Sequence, residues 1–169
     1  MTEKENNQTI QAKTARQGIL LFNLGTPAAP ERWAVARYLK EFLSDERVVN
    51  LPRWFWLPLL YCVIAPLRAG RSAKAYAKVW TEEGSPLLVL SEQLTARLQA
   101  SAGESRVFML GMRYGEPSIR QALEKLRESG ATELTVLPMY PQFSFTTTAS
   151  GYDAIDTARE AMNSNPPQH

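Results

Sequence analysis

Residues 18–27 read GILLFNLGTP, an apolar run that ends in glycine, threonine and proline, and two similar runs follow later in the chain. Residues 106–115 read RVFMLGMRYG, and residues 133–144 read ELTVLPMYPQFS. Short apolar runs bounded by turn residues are typical of strands buried in a parallel sheet. Ligands of such sheets bind at the carboxyl ends of the strands. The tails of the three runs are therefore predicted to face one crevice.

Amphipathic helices are predicted between and after these strands. Four segments have the helical period: residues 31–43, 85–100, 117–129 and 147–162. The first places apolar side chains on one face, at Val35, Tyr38, Leu39 and Phe42. The second begins with the start signal Ser85-Pro86 and carries a leucine stripe at Leu87, Leu90, Leu94 and Leu98. This alternation indicates an α/β fold, a Rossmann-like parallel sheet flanked by helices.

The composition fits one globular domain with a core of its own. The chain has 169 residues, of which 44% are hydrophobic and 21% charged. Its net charge is only +2 and its basic residues form no stripe, so we expect no nucleic-acid partner. The single cysteine, Cys62, is predicted to be a small core or interface residue, and its isolation agrees with a cytoplasmic location.

Both ends of the chain are polar. Residues 1–17 lack the apolar core of a secretory signal, and we predict that they form a disordered tail. Residues 163–169 contain two prolines through which a helix cannot continue, so they are predicted as a C-terminal tail. The ordered domain is therefore predicted to cover residues 18–162.

Residues 51–67, LPRWFWLPLLYCVIAPL, concentrate aromatic and aliphatic side chains in a short stretch that we call the apolar lip. It is shorter than the roughly 20 apolar residues that span a bilayer, and Pro58 and Pro66 are expected to break it. One interpretation is an exposed lip that covers a flat hydrophobic ligand or rests on a membrane surface. The other is a buried helical hairpin packed on the sheet. The residues leave both open.

Polar side chains follow the predicted strands. An arginine such as Arg113, directly after a buried strand, offers a planar charged group to a carboxylate or phosphate, and Tyr114 adds a ring and a hydroxyl. A structural salt bridge to a helix carboxylate explains Arg113 equally well. Gly25 permits a tight turn or a close ligand approach. The hydroxyls of residues 144–150 either bind an anion at a helix N-terminus or cap that helix.

Several chemistries lack their motifs in this sequence. There is no GxxxxGK[ST] phosphate loop, no GxGxxG after the first strand and no GxSxG nucleophile turn. The only histidine, His169, is the last residue given, so the predicted domain offers no imidazole as a base or metal ligand.

Five segments resemble ferrochelatases, in the same order and with similar gaps. They are residues 21–27 (LFNLGTP), 38–49 (YLKEFLSDERVV), 83–87 (EGSPL), 111–115 (GMRYG) and 137–144 (LPMYPQFS). The resemblance covers residues 18–155 and corresponds to the N-terminal half of the family. Within the family, the likeness is to bacterial enzymes that use protoporphyrin IX.

The resemblance implies the insertion of ferrous iron into protoporphyrin IX, the last step of heme synthesis and a lyase reaction. Ferrochelatases hold the macrocycle between two similar Rossmann-like domains, so this chain resembles one domain of a two-domain chelatase-like fold. The family's essential histidine and glutamate lie in the other half. We therefore expect no catalytic residue and no metal ligand here, with Fe²⁺ and protoporphyrin IX as substrates and no tightly bound cofactor.

The family's porphyrin contacts carry over to five residues: Leu24, Tyr76, Ser85, Arg113 and Tyr114. The resemblance implies that Leu24 is an apolar wall, that Ser85 lies near a propionate, and that Arg113 and Tyr114 line the cleft. Tyr76 is a looser match, because its spacing to Ser85 varies in the family. The apolar lip resembles the segment that borders the mouth of the cleft.

Two hypotheses of different classes follow. The first is a ferrochelatase half whose remainder is lost, truncated or encoded as a separate chain, so that activity requires a partner polypeptide. The second is a porphyrin- or heme-binding module without catalysis, or an inert product of a broken gene. Under the first, we expect a cytoplasmic protein with peripheral contact to the inner membrane through residues 51–67.

Overall fold

The structure is a computed structural model that describes residues 16–164. It contains three strands: β1 (Gln17–Gly25), β2 (Arg106–Tyr114) and β3 (Glu133–Pro138). The α-helices are α1 (Arg32–Leu43), α2 (Arg53–Leu59), α3 (Ala65–Val79), α4 (Pro86–Ser101), α5 (Ile119–Glu128) and α6 (Ser150–Ser164). Two π-helical turns, Leu60–Ile64 and Phe145–Ala149, lead into α3 and α6.

The strands form one parallel sheet in the order β2-β1-β3. In its register, Leu20 of β1 lies between Met109 of β2 and Val136 of β3. Because all three strands run in one direction, their carboxyl ends lie along one edge, which we call the carboxyl edge. The predicted α/β class, with a parallel sheet flanked by helices, is confirmed.

The central strand is buried on both of its faces. Leu20 and Phe22 pack into one core with α5 and α6, whereas Ile19 and Leu21 pack on the other face with partly buried leucines of α4. This two-sided burial explains why β1 reads as an unbroken apolar run. The helix that lies against β1 and β2 on that second face is α4, and its start at Ser85-Pro86 is confirmed.

The leucine stripe predicted for α4 does not face the sheet as a whole. Leu88 and Leu98 pack toward the core, but Leu90 and Leu94 are exposed. The stripe follows helical spacing, yet the buried side of α4 is centred on Ser91 instead. Periodicity alone therefore gave a helix in the right place with its inward face misassigned.

Helices α1 and α3 form a second layer that reaches across the carboxyl edge. Three residues of α1, Val35, Leu39 and Leu43, pack against Leu60 and the small alanines of α3. The same buried face of α1 also contacts the strand ends, because the Tyr38 hydroxyl donates a hydrogen bond to the Gly25 carbonyl oxygen at 3.3 Å. The predicted buried face of α1 is confirmed.

The apolar lip is helical and largely exposed. Its prolines do not break it: Pro58 lies inside α2, and Pro66 lies in the first turn of α3, after the π-helical turn. A π turn changes the hydrogen-bond spacing just before Pro66, where a backbone donor is missing. The expectation of a break is therefore wrong.

One side of the lip helix faces solvent. Trp54 is 81% exposed and Leu67 75% exposed, while Leu60 is fully buried. The interpretation as a buried hairpin packed on the sheet is wrong. Cys62 is also exposed, so it is not a core residue. Within residues 16–164, no helix is long and apolar enough to cross a membrane.

The element boundaries differ slightly from those predicted. Gln17 already pairs with Arg106 and Glu133, and α6 continues to Ser164, so the ordered elements extend one and two residues beyond the predicted 18–162. Strand β2 runs as far as Tyr114, and β1 pairs with it up to Gly25. The predicted tails otherwise fall on residues outside the described range, as does His169.

Candidate site at the carboxyl edge

The ends of β1 and β2 are in direct backbone contact. Gly25 has a φ of +104°, and a Cβ built on it would lie 1.8 Å from the Tyr114 carbonyl oxygen. Gly115 has a φ of +80°, and its Cβ would lie 2.7 Å from the carbonyl oxygen of Thr26. Only glycine accommodates both demands. The group that approaches Gly25 closely is the backbone of the neighbouring strand; the predicted close approach of a ligand stays a prediction.

Arg113 lies next to the last residue of β2, and two partners hold its side chain. Its Nε donates to the carbonyl oxygen and hydroxyl of Ser150 at 2.9 and 2.7 Å, and its Nη2 donates to Asp45 Oδ2 at 2.6 Å. The predicted alternative of a structural salt bridge is therefore present. Within residues 16–164, Nη1 has no hydrogen-bond partner, so one side of the guanidinium is available.

Tyr114 lies beneath the carboxyl edge rather than on its surface. Its side chain is fully buried, and its hydroxyl donates to Asp45 Oδ2 at 2.7 Å and lies 3.1 Å from the Ser150 hydroxyl. Burial raises the pKa of Tyr114 well above its usual value, so the phenol stays protonated. The structure places Tyr114 as a support for Asp45.

Asp45 is a residue that the sequence analysis did not single out. Its Oδ2 accepts hydrogen bonds from Arg113, Tyr114 and Ser150, and its Oδ1 accepts from the backbone N–H of Arg47 at 2.8 Å. Burial favours a higher pKa of Asp45, but these donors outweigh it and hold the pKa below its usual value. Asp45 is therefore a carboxylate that ties three distant segments together.

A spacing signal for Asp45 was present in the sequence. Residues 38, 41 and 45 follow one helical face, and all three contact the strand ends. Glu41 accepts a hydrogen bond from the backbone N–H of Gly115 at 3.1 Å, and burial raises the pKa of Glu41. The acidic residues Glu41 and Asp45, spaced with Tyr38, thus identify the side of α1 that lies on the carboxyl edge.

Ser85 and Leu24 flank the end of β1. The Ser85 hydroxyl accepts a hydrogen bond from the Thr26 hydroxyl at 2.9 Å, and both residues are buried. Leu24 is half-buried, with its N–H bonded to Asn23 Oδ1 at 2.8 Å. In the register of β1 and β2, Asn23 pairs with Met112, so Leu24 lies level with Arg113.

Tyr76 reaches the carboxyl edge through a second tyrosine. It lies on α3, half-buried, with its ring 6.4 Å from that of Tyr38 and 6.3 Å from that of Trp80. Tyr38 in turn contacts Gly25. Burial raises the pKa of Tyr76. All five predicted site residues are therefore connected to one edge, with Leu24, Tyr76 and Arg113 partly open to solvent.

Two hydroxyls near the segment 144–150 are buried without a partner among the described residues: those of Tyr140 and Thr148. Burial raises the pKa of Tyr140 to about 12. Ser144 precedes the π-helical turn but makes no side-chain cap, since its hydroxyl bonds to Thr146 and Thr147 side chains. Of the two interpretations given for the hydroxyls of residues 144–150, capping by the Ser144 side chain is therefore not observed.

Arg113 also faces an open groove of about 310 Å³. Arg120, Asp153 and Thr157 line the same groove. Across residues 16–164, no three His, Cys, Asp or Glu side chains lie close enough together to hold a metal ion. The free side of the Arg113 guanidinium therefore offers a positive charge to this groove.

The fold is an open parallel α/β sheet flanked by helices, and the candidate site described above lies at the carboxyl ends of its strands. Comparison with known proteins gives its family. A family model described as Ferrochelatase matches residues 16–169, which is most of the chain. This chain belongs to the ferrochelatase family.

Relatives in several bacteria are similar over the same region. The ferrochelatase of Edwardsiella ictaluri is 52% identical over 140 residues, which make up 83% of this chain and 44% of the relative. That of Pectobacterium atrosepticum is 53% identical over 143 residues, 85% of this chain and 44% of the relative. That of Xanthomonas axonopodis pv. citri is 52% identical over 146 residues, which make up 86% of this chain and 46% of the relative. The chain spans less than half the length of these relatives.

Proposed function

We propose that this chain is the porphyrin-holding N-terminal part of a ferrochelatase, which inserts ferrous iron into protoporphyrin IX. We propose further that it is inactive without the remaining length of its relatives, the second domain of a two-domain fold. The observation that supports this is that Leu24, Tyr76, Ser85 and Arg113, distant in sequence, meet at one edge in a chain of this family.

Arg113 is the proposed partner of a porphyrin propionate. Its Nε and Nη2 are held by Ser150 and Asp45, which leaves Nη1 directed away from these internal bonds. Arginine binds carboxylates through strong charge-assisted hydrogen bonds. A guanidinium that is already oriented loses less side-chain entropy on binding. Asp45 thus prepares Arg113 for an anionic ligand.

The flat, apolar macrocycle needs an apolar surface beside that anion site. Leu24 lies level with Arg113 and is half-buried. Phe143 and Phe145, which sequence analysis did not single out, are both exposed beyond β3, with ring centroids 5.7 Å apart. Burial of such surface contributes about 25 cal/mol per Å². These residues provide the wall on which we place the porphyrin.

Metal insertion releases two protons from the pyrrole nitrogens as Fe²⁺ takes their place. Asp45 is a poor acceptor for them, because its oxygens bind several donors and its pKa lies below the usual value. We therefore assign the base to the part of the relatives that this chain does not span. The described residues bind and orient the porphyrin.

The apolar lip is the proposed border of the porphyrin cleft and a point of peripheral membrane contact. Trp54, Phe55 and Leu67 are exposed on it. Arg68 and Arg71 lie with Leu67 on α3 and suit an anionic lipid surface. Sedimentation with anionic vesicles tests this, and we expect Trp54→Glu to reduce binding. Equal binding of both proteins would exclude a role for the lip.

Porphyrin binding is tested by fluorescence titration of the chain with protoporphyrin IX. We expect saturable binding, weakened at least about tenfold by Leu24→Glu, because a carboxylate would then face the macrocycle and the propionates. Leu94→Glu on α4 is the matched control, since Leu94 is exposed and distant from the strand ends. Absent binding, or equal losses in the two variants, would contradict the proposal.

A further inference from the structure

The outer side of β2, which faces away from β1, is bonded to other parts of the chain at two places. The Phe108 N–H donates to Gln99 Oε1 at 2.8 Å, and the Met112 N–H donates to the Pro117 carbonyl oxygen at 2.6 Å. Gln99 also donates through its Nε2 to the Arg106 carbonyl oxygen at 3.2 Å. These contacts occupy both ends of the outer side of β2, where a further strand would otherwise pair.

Between the two contacts, the backbone of Leu110 has no partner. The backbone groups of alternate residues point to the same side of a strand in a parallel sheet. Because Phe108 and Met112 bond outward, the N–H and the carbonyl oxygen of Leu110 also point outward, together with the Phe108 carbonyl oxygen. Among residues 16–164, no group bonds to these three backbone groups. Leu110 is only 8% exposed, so the unmade hydrogen bonds carry a cost that a ligand can relieve.

A cavity of about 340 Å³ lies over this part of β2, between α4 and α5. Its small or apolar lining residues are Ala96 on α4, Ala122 on α5, and Met109, Leu110 and Pro117. Cavities that bind small molecules are mostly apolar, measure about 300 Å³ or more, and contain a few polar groups that orient the ligand. The apolar walls and the unpaired backbone of Leu110 together have these properties.

The spacing of the unpaired groups restricts the chemistry of the ligand. In a parallel ladder, one partner residue bonds to the carbonyl oxygen of one residue and to the N–H two residues further on. The Phe108 carbonyl oxygen and the Leu110 N–H form such a pair, so they suit a donor and an acceptor that are adjacent in one molecule. A strand needs several residues of free edge, but Gln99 and Pro117 occupy the edge on both sides. The free length therefore suits a single planar group.

We propose that this cavity binds a planar lactam ring, in which an N–H donor and a carbonyl acceptor are adjacent. The lactam N–H donates to the Phe108 carbonyl oxygen, its carbonyl oxygen accepts from the Leu110 N–H, and the ring lies between Ala96 and Ala122. Apolar surroundings lower the local dielectric constant, which strengthens both bonds. The inference goes beyond the proposed function and does not rest on it, because none of the proposed porphyrin contacts lines this cavity.

A matched pair of probes tests the two hydrogen bonds. Carbostyril contains a lactam fused to a benzene ring, whereas N-methylcarbostyril has the same rings without the N–H donor. We expect equilibrium dialysis with the full chain to show saturable binding of carbostyril. The methyl group is expected to weaken binding at least about tenfold, because it leaves the Phe108 carbonyl oxygen unpaired. Equal binding of the two probes, or no binding of carbostyril, would overturn the inference.

Two tryptophan substitutions on α4 test the location of the probe. Ala96→Trp places a large ring in the cavity, and Ala100→Trp, one turn further along the helix and outside the lining residues, is the control. Both alanines are exposed, so we expect both variants to fold, which circular dichroism checks. We expect Ala96→Trp to reduce carbostyril binding at least about tenfold and Ala100→Trp to leave it unchanged. Equal effects of the two substitutions would overturn the inference.

Amide NMR gives a readout that does not depend on a variant. Carbostyril is expected to shift the Leu110 N–H signal of the unaltered chain, whereas N-methylcarbostyril at the same concentration shifts it less. A Leu110 signal that does not move at saturation would overturn the inference. Titration with protoporphyrin IX tests the proposed function separately, so either proposal can fail without the other.

Discussion

Asp45 binds donors from two segments that are far from it in the sequence. Arg113 and Tyr114 come from the end of β2, and Ser150 from the start of α6. A buried ion pair by itself adds little net stability, but removal of one partner leaves an uncompensated charge. The role we assign to Asp45 is therefore to fix the orientation of Arg113 and to keep the carboxyl edge closed.

Replacement of Asp45 tests this role. We expect Asp45→Ala to lower the free energy of unfolding by about 3 kcal/mol, because the Arg113 charge and two hydroxyls lose their acceptor. Urea denaturation measures the change. Asp153→Ala is the control, since Asp153 pairs with Arg47 at an exposed position and its loss is expected to cost less than about 1 kcal/mol. Equal effects of the two substitutions would contradict the account.

The buried tyrosines predict an alkaline limit to stability. Burial raises the pKa of Tyr38, Tyr114 and Tyr140 in the folded chain, to about 12 for Tyr140. The unfolded chain releases these protons near pH 10, so it binds fewer protons than the folded chain above that pH. The stability is full below pH 10 and is lost as the pH rises further.

Spectroscopic titration checks the alkaline limit. We expect phenolate absorbance from the buried Tyr38 and Tyr114 and the partly buried Tyr140 to rise together with the loss of circular dichroism. Tyr140→Phe removes one titrating group and is expected to extend stability to higher pH. Ionisation of all tyrosines near pH 10 in a chain that keeps its helical signal would show that these rings are not buried.

At the scale of the elements, the packing of the strand ends depends on the close contact between β1 and β2 at Gly25. A side chain there meets the Tyr114 carbonyl oxygen and also requires an unfavourable positive φ. We expect Gly25→Ala to destabilise the chain by about 2–4 kcal/mol. Gly103→Ala is the control, because a Cβ at Gly103 meets no atom within 4 Å. Thermal melts that show equal effects would contradict this packing.

The sequence predicted the elements better than their arrangement. The apolar run of β1 identified a strand buried on both faces, and Ser85-Pro86 identified the start of α4. Periodicity did not show that α1 lies across the carboxyl edge. An apolar face indicates that a helix is packed in the core, but it does not identify the element that the helix packs against. For the same reason Leu90 was expected to be buried and is exposed.

The site was predictable in part for a related reason. Arg113 could be singled out because it lies at the end of an apolar run. Of its two interpretations, the salt bridge is observed, and the role as a ligand group stays a prediction. Its partner Asp45 lies 68 residues away in sequence, so no local pattern connected them. Contacts across such distances are decided by tertiary packing, which spacing along the chain does not report.

At the scale of the whole molecule, exposed apolar surface is the dominant feature. Trp54, Phe55 and Leu67 lie on the apolar lip, and Phe143 and Phe145 lie beyond β3. Patches of this kind promote association. We expect the purified chain to self-associate in light scattering, and Trp54→Glu combined with Leu67→Glu to shift it toward a monomer. A sharply monomeric unaltered chain would contradict this expectation.

Iron insertion tests the central claim, that this chain holds the porphyrin but needs the remaining part of the fold for metallation. Protoporphyrin IX and Fe²⁺ are mixed without oxygen, with the chain alone and with the chain co-expressed with the C-terminal part of the Edwardsiella ictaluri relative, and the heme absorbance spectrum is followed. The account predicts bound, metal-free porphyrin with the chain alone and heme with the complex. Heme formation by the chain alone, above the rate without protein, would contradict it.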